Sequence, residues 1–126
     1  MTFGDRLREL RLQNGFNQRD LAEKVGIDFT YLSKIENDKM SPPSQETIRK
    51  LAEELEADLD ELLILANRVP DDVKEVITKS REHPAFLREI QDLDEEELKR
   101  LKKKAQEIRE ERRPKDASDQ NDSNNR

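Results

Sequence analysis

Apolar residues in this chain recur every three or four positions, in short blocks separated by glycines and by residues that favour helix caps. This spacing places the apolar side chains of each block on one face of an α-helix. Runs of alternating Val, Thr and aromatic residues, which are typical of strands, do not occur. The sequence therefore predicts an all-α protein made of amphipathic helices.

The first half of the chain contains five such blocks, and we predict one helix for each. The first helix is expected over residues 5–14. The residues expected to begin or end the helices are, in chain order, Gly15 (end of the first), Asn17 and Gly26 (second), Asp28 or Phe29 (third), Ser44 (fourth) and Asp58 (fifth). The predicted shared core consists of Leu7, Leu10, Leu21, Ala22, Val25, Leu32, Ile35, Ile48, Leu51, Ala52, Leu55, Leu59, Leu62, Leu63 and Leu65.

The remaining sequence predicts a separate helical section over residues 68–113 and a disordered tail over residues 114–126, so the first domain is expected to span residues 1–67. Pro84 is expected to open a short helix, and Asp94 to cap a long helix that ends at Pro114. The long helix carries a heptad-like seam, which consists of Leu98, Leu101, Ala105 and Ile108. The tail contains almost no apolar residue that a core could bury.

The net charge of −6 argues against a simple nucleic-acid binder, so its location along the chain matters. Residues 1–45 carry seven basic and seven acidic residues, whereas residues 46–66 carry two basic and seven acidic ones. The excess of acidic residues therefore lies mostly after the first three predicted helices in the sequence. A neutral N-terminal region predicts weak non-specific binding to DNA, because such binding is driven by the release of counterions.

The residue types that metal sites and nucleophilic catalysis require are scarce. The chain has no Cys and a single His, His83, and it contains no phosphate-loop or nucleophile motif. Asp71 and Asp72 are adjacent carboxylates, but helix capping explains them at a predicted helix start. We therefore predict that the protein is not an enzyme and needs no metal or cofactor. No apolar run is long enough to span a membrane, and we expect a cytoplasmic location.

Two short helices joined by a turn at Gly26 are the core of a helix-turn-helix motif. In that motif the first helix lies across the DNA backbone and the second enters the major groove. The stretch from Leu7 to Leu63 resembles the Cro/XRE family of phage and bacterial repressors. The matching positions are Leu7, Leu10-Arg11, Gln18, Leu21-Ala22, Gly26-Ile27, Leu32 to Asn37, Pro43-Ser44, Leu51-Ala52 and Leu62-Leu63.

This resemblance implies a five-helix lambda-repressor-like DNA-binding domain followed by a C-terminal helical extension. It also implies a sequence-specific transcriptional regulator, by the usual pattern of the family a repressor, that binds an inverted-repeat operator as a dimer. The residues that the resemblance assigns to double-stranded DNA are Gln18, Arg19, Asp28, Phe29, Thr30, Tyr31, Ser33, Lys34, Asn37 and Lys39.

Within that set, Gln18 is expected to contact phosphate and to order a reading side chain. Related repressors often carry Gln at the positions of Phe29 and Thr30, and this sequence departs from them. Phe29 cannot form a hydrogen bond with a base, but it can lie against a thymine methyl, and Lys34 can reach guanine. The alternatives are ordinary packing of Phe29 and Tyr31 and a solvated Lys34.

Arg11 and Glu36 match two positions that form a buried salt bridge in some members of the family; the alternative is two unrelated surface charges. The loop that follows Glu36 is expected to lie against the phosphate backbone, with Asn37 and Lys39 as its contacts. Asp38 stands where the family usually has Gly, and its negative charge argues against a close approach of this loop to DNA.

A single helix-turn-helix unit rarely binds tightly, so we expect a homodimer on paired half-sites. The residues predicted to form its interface are Phe86, Leu87, Ile90, Leu98, Leu101, Ala105 and Ile108. The alternative is that these helices pack back on the N-terminal domain. Two other functions stay open, an antitoxin of a toxin–antitoxin pair and a repressor controlled by a stress protease. Each would add a protein partner, a toxin or a protease.

Overall fold

The computed structural model describes the backbone of residues 1–121 and the side chains of residues 1–112, and every regular element in that part of the chain is a helix. The helices are α1 (Phe3–Gln13), α2 (Gln18–Val25), α3 (Phe29–Glu36), α4 (Gln45–Leu55), α5 (Leu59–Leu65), α6 (Asp71–Ile77), α7 (Glu82–Ile90) and α8 (Glu95–Asn121). The chain divides into two compact units, and the boundary between them in the sequence falls between Val76 and Ile77. We call them the N-terminal unit and the C-terminal unit.

Side-chain caps begin the helices of the N-terminal unit and satisfy backbone N–H groups that have no partner within the helix. In each of α2 to α5 a side-chain oxygen of the capping residue accepts a hydrogen bond from a backbone N–H of the first turn. The caps are Asn17 for α2, Asp28 for α3, Ser44 for α4 and Asp58 for α5. Gly26 ends α2 with φ of 75°, a left-handed conformation that a residue with a Cβ adopts only with strain.

The predicted start of α1 at residue 5 is too late, because Thr2 caps this helix. The Thr2 hydroxyl accepts from the backbone N–H of Asp5, and the Asp5 carboxylate accepts from the backbone N–H of Thr2. This reciprocal pair is a capping box, and it brings Phe3 and Gly4 into the first turn. Phe3 is buried and adds an aromatic ring to the core.

The core of the N-terminal unit is formed by one face of each of α1 to α5. Leu7, Leu32 and Leu51 lie at its centre and are completely buried. Of the predicted core, Leu59 and Leu65 are only partly buried and pack at the edge, while the other members are buried. Arg6 ties α1 to α5, and its hydrogen bonds to Glu9 and Glu61 raise the pKa of its guanidinium above the ordinary value.

The C-terminal unit begins at Ile77 and contains α7 and α8. The predicted cap of α8 at Asp94 is present and forms a capping box: the backbone N–H of Asp94 donates to Glu97 at 3.0 Å, and the backbone N–H of Glu97 donates to Asp94 at 2.8 Å. Pro84, predicted to open α7, is its third residue. Its missing N–H costs no helical hydrogen bond in the first turn.

The predicted end of the long helix at Pro114 is wrong, because α8 continues to Asn121. Proline removes one backbone donor from a helix, and residues 107–113 before it are rich in Glu and Arg, which favour helix. The last part of the predicted tail, residues 122–126, lies outside the described residues. Over the described residues, no helix is long and apolar enough to cross a membrane, and no group of three or more side chains could hold a metal ion.

Replacing Leu51 with Ala should lower the free energy of unfolding of the N-terminal unit by about 2–5 kcal/mol, because the change leaves a cavity in a closely packed core. Leu12→Ala is the matched control: Leu12 is 61% exposed, and its loss should cost no more than about 0.5 kcal/mol. Urea denaturation followed by tyrosine fluorescence measures this unit alone, because Tyr31 is the only tyrosine and packs against its core. Equal midpoints for the two variants would contradict the described core.

Candidate nucleic-acid interface

The α2–α3 pair is held in one arrangement by its turn and by the core. The backbone N–H of Ile27 donates to the carbonyl of Ala22 at 2.9 Å, which closes the end of α2 behind Gly26. Asp28 then caps α3 by accepting from the backbone N–H of Thr30 at 2.9 Å. Leu32 and Ile35 bury the inner face of α3. The outer face of α3 is therefore fixed in position relative to α2.

That outer face carries the residues of α3 that the sequence assigns to DNA. Thr30 and Lys34 are exposed and lie one helical turn apart, so their side chains share one side of the helix. Ser33 is half-buried beside them. Tyr31 is half-buried and packs against the core, which matches the packing alternative for this residue. Thr30, Ser33 and Lys34 therefore form the polar outer face of α3.

The first residue of α3 and the second residue of α2 form a stacked pair. The guanidinium carbon of Arg19 lies 4.4 Å from the centre of the Phe29 ring, which is within the range of a cation–π interaction. Phe29 is half-buried and also packs against the core, whereas Arg19 is exposed. The Arg19–Phe29 stack joins the two helices at the side of the pair where α3 begins.

The carboxylate of Glu36, at the last residue of α3, is completely buried and accepts hydrogen bonds from two other helices. Arg11 of α1 binds it through two nitrogens, with Nε 2.7 Å from Oε2 and Nη2 3.0 Å from Oε1. The side-chain amide nitrogen of Gln18, the first residue of α2, donates to Oε1 at 3.0 Å. Arg8 lies farther away, with Nε 3.9 Å from Oε1. We call this group the Glu36 cluster.

The Glu36 cluster joins α1, α2 and α3 through a single carboxylate. A buried carboxylate is costly unless its oxygens are paired, and here the bidentate guanidinium and the amide supply both the opposite charge and the hydrogen bonds. Gln18 is half-buried and is oriented by Glu36 through its amide nitrogen. Its role toward phosphate stays a prediction. Arg11 also donates to the carbonyl of Phe16 at 3.0 Å, which holds the chain between α1 and α2.

The loop after α3 is built on internal contacts that the sequence analysis did not foresee. The Asn37 side chain accepts from Arg8 at 3.2 Å and donates to the carbonyl of Ser33 at 3.0 Å. Asp38 has φ of 60°, and its carboxylate accepts from the hydroxyl of Thr2 at 3.0 Å. A Cβ on Gly4 would lie 2.5 Å from the carbonyl oxygen of Ile35, so only glycine lets α1 approach the end of α3 this closely.

Internal donors therefore occupy the carboxylates that border α3. Asp28 binds a backbone N–H, Glu36 binds Arg11 and Gln18, and Asp38 binds Thr2. The cationic side chains of α2, α3 and the following loop are Arg19, Lys24, Lys34 and Lys39. Among the side chains of residues 1–112, none of these four forms an ion pair. Lys34 and Lys39 thus remain exposed on α3 and its loop, whereas on α2 the exposed Asp20 and Glu23 balance Arg19 and Lys24.

The C-terminal unit contains a second surface of interest. An open groove of about 420 Å³ lies between α7 and α8, and its lining is almost entirely apolar. The lining residues are Phe86, Ile90, Leu98, Leu101, Lys102, Lys104, Ala105 and Ile108. Leu87 lies outside the groove lining and is 46% exposed. Six of the seven residues predicted for a dimer interface are thus brought together on one face.

Residues 7–62 match the helix-turn-helix family. Over 76 residues the chain is 37% identical to an uncharacterized HTH-type transcriptional regulator, RghRB of Bacillus subtilis, and the alignment covers 58% of this chain and 55% of that protein. Over 70 residues it is 34% identical to the HTH-type transcriptional repressor RghR of the same species, covering 56% of this chain and 52% of RghR.

A similar solved structure is the N-terminal DNA binding domain of SinR from Bacillus subtilis. The identity is 33%, the match covers 48% of this chain and 88% of that domain, and the TM-score is 0.46. The chain spans little more than half the length of the two regulators RghRB and RghR. The residues that match the helix-turn-helix family contain most of α1, all of α2 to α4 and the whole Glu36 cluster.

Glu36→Gln should lower the free energy of unfolding of the N-terminal unit by about 3–5 kcal/mol, because it leaves the guanidinium of Arg11 buried without its counter-charge. The double variant Arg11→Met, Glu36→Leu removes both charges and should recover much of that loss. Glu53→Gln, which breaks only an exposed pair with Arg49, is the control and should change the midpoint little. If Glu36→Gln is as stable as this control, the Glu36 cluster does not hold the three helices together.

Proposed function

We propose that this chain, whose residues 7–62 match the helix-turn-helix family, is a transcriptional regulator that binds double-stranded DNA in a sequence-specific manner. In this proposal α3 enters the major groove and α2 lies across the phosphate backbone. The regulatory effect is repression, and the similarity to the repressor RghR supports that choice. The regulator acts by occupying an inverted-repeat operator as a homodimer.

The observation that carries the DNA-binding proposal is the division of charges around α3. Its neighbouring carboxylates, Asp28, Glu36 and Asp38, are bound by donors of the protein itself. Lys34 on α3 and Lys39 in the following loop are exposed and, among the described side chains, form no ion pair. A surface of this kind attracts phosphate, although the N-terminal region carries no net positive charge.

Individual contacts follow from this placement. Thr30 and Lys34 face base edges, and Lys34 donates to the O6 and N7 atoms of a guanine. Gln18, Arg19 and Lys39 contact phosphate and set the register of the protein on the duplex. Asp28 and Asn37 serve mainly to hold α3 and its loop, because their side chains are already engaged with protein groups.

The absence of net positive charge in residues 1–45 makes dimer formation necessary for useful affinity. Non-specific binding by a region with seven basic and seven acidic residues is weak, so specific contacts must be doubled on two half-sites. Half-sites about 34 Å apart place both α3 helices on one face of the duplex. The apolar groove between α7 and α8 supplies the dimer surface, because contact with a second copy removes its exposed apolar residues from water.

A protein partner, either a toxin or a stress protease, remains an alternative use of the same C-terminal surface. A toxin would compete with the second copy for the α7–α8 groove. The acidic segment 46–66 lies in the other unit and is a separate surface for a basic partner. Among the residues that the structure describes, no feature favours one of these partners over the homodimer.

Lys34→Ala should weaken binding to the preferred duplex by about 1–3 kcal/mol and relax the preference at one base pair in each half-site. The preferred duplex is obtained by selection from a random-sequence library with the purified full chain. Lys50→Ala removes the same charge from the exposed side of α4 and should leave the sequence preference unchanged. Fluorescence anisotropy at two salt concentrations measures both affinities.

Enrichment of an inverted repeat with half-sites one helical turn apart supports the proposal. If the folded chain enriches no duplex at all, the proposed function is wrong. If Lys34→Ala and Lys50→Ala weaken binding equally at every sequence, α3 does not read bases, and the attraction is electrostatic only.

Ile108→Glu should convert a dimer into a monomer, because it places a charge in the apolar seam of α8 where the second copy would bury it. Ile64→Glu is the matched control, since Ile64 is 71% exposed on the N-terminal unit and lies outside the proposed dimer surface. Sedimentation equilibrium of the full chain reports the mass of each variant. A dimer that survives Ile108→Glu and is lost in Ile64→Glu would move the interface to the N-terminal unit.

A further inference from the structure

The Arg19–Phe29 stack lies at the start of α3, where related repressors often carry polar residues and this chain has Phe29. Phe29 is the first residue of α3, and it directly follows the cap Asp28. Core packing and the guanidinium, which lies over the ring at 4.4 Å, restrain the phenyl ring from two sides. The ring is still only half-buried, so part of it faces solvent next to Thr30.

The partner of the ring is a cation that no carboxylate neutralises. Among residues 1–112, Arg19 forms no ion pair, and the stack on Phe29 is the contact that orients its side chain. A stacked guanidinium keeps its N–H groups in the plane of the stack, free to donate at their edges. The stack therefore combines the apolar surface of the Phe29 ring with N–H donors at the edge of the Arg19 guanidinium.

The chemistry of base edges limits what such a surface can select. In the major groove, the apolar group that a base pair offers is the C5 methyl of thymine, while the other edges present hydrogen-bond donors and acceptors. A phenyl ring against a cytosine amino group or a guanine O6 would remove water from a polar atom without replacing its hydrogen bond. The ring therefore favours a methylated pyrimidine and disfavours the alternatives.

We propose that the Arg19–Phe29 stack is a specificity-determining contact that selects a 5-methylpyrimidine, thymine or 5-methylcytosine, at one position of each half-site, with Arg19 donating to the adjacent phosphate. This inference rests on the proposed function and deepens it, because it names the base chemistry that the surface reads. It also makes cytosine methylation at that position a signal that strengthens binding.

The size of the effect follows from the burial of one methyl group, which corresponds to about a fourfold change in affinity at each half-site. A dimer that loses the methyl from both half-sites should bind about sixteenfold more weakly, since the two sites are far apart and their effects add as free energies. This change exceeds the usual precision of a binding titration.

The test uses the duplex enriched by the full chain from a random-sequence library. Each thymine is replaced in turn by deoxyuridine, symmetrically in both half-sites, and the affinity is measured by fluorescence anisotropy. One thymine position should show the sixteenfold loss, while deoxyuridine elsewhere should have little effect. At that same position, 5-methylcytosine paired with guanine should bind more tightly than cytosine.

Two variants assign the effect to the stack. Phe29→Ala should bind thymine and deoxyuridine duplexes equally well at the sensitive position. Arg19→Lys keeps the charge and the salt dependence, but it replaces the planar guanidinium and should reduce the discrimination. Thermal unfolding by circular dichroism establishes that each variant is folded before its binding is interpreted.

The outcomes separate this inference from the function on which it rests. If the folded chain enriches no duplex, the proposed function fails and the inference fails with it. If a duplex is enriched but every deoxyuridine substitution leaves the affinity unchanged, sequence-specific DNA binding is supported and the proposed recognition of a methyl group is wrong. Discrimination that persists unchanged in folded Phe29→Ala would likewise overturn the assignment to the Arg19–Phe29 stack.

Discussion

A single buried carboxylate, that of Glu36, fixes the part of the molecule that the proposed function depends on. Apolar packing alone positions α1, α2 and α3 without strong directional preference, because hydrophobic burial depends mainly on area. The Glu36 carboxylate adds direction: the bidentate contact from Arg11 and the amide contact from Gln18 are satisfied in one arrangement of the three helices. The outer face of α3 is therefore held by a charged cluster at its C-terminal end and by the Asp28 cap at its start.

The same contacts shape the electrostatics of the surface. A region with equal numbers of acidic and basic residues becomes a site for phosphate only if the acids are engaged elsewhere. Glu36 and Asp38 are bound on the α1 side of α3, the latter where Gly4 permits a backbone approach that any Cβ would block. Lys34 and Lys39 are left exposed on α3 and the loop, and among the described side chains they form no ion pair. Stability and charge placement thus have a common origin in the packing of α1 against the end of α3.

Much of this could be predicted from the sequence, because caps and apolar spacing are local signals. Asn17, Ser44 and Asp58 cap the helices as expected, and the apolar periodicity identified nearly all of the core. The contacts made by Thr2, Arg8 and Asn37 could not be predicted, since they depend on how closely α1 approaches the loop after α3. The Arg19–Phe29 stack was missed for the same reason: ten positions separate the two residues, and only the angle of the turn at Gly26 brings them into contact.

The central claim is that the outer side of the α2–α3 pair is the surface that meets DNA, and backbone amide mapping by NMR tests it most directly. Isotope-labelled full chain would be titrated with the enriched duplex, and the shift of each amide signal recorded. The account predicts that the largest changes fall at residues 18–19, 28–34 and 37–39, with small changes on the exposed faces of α4 and α5. Changes concentrated on α4 and α5, or confined to α7 and α8, would contradict it.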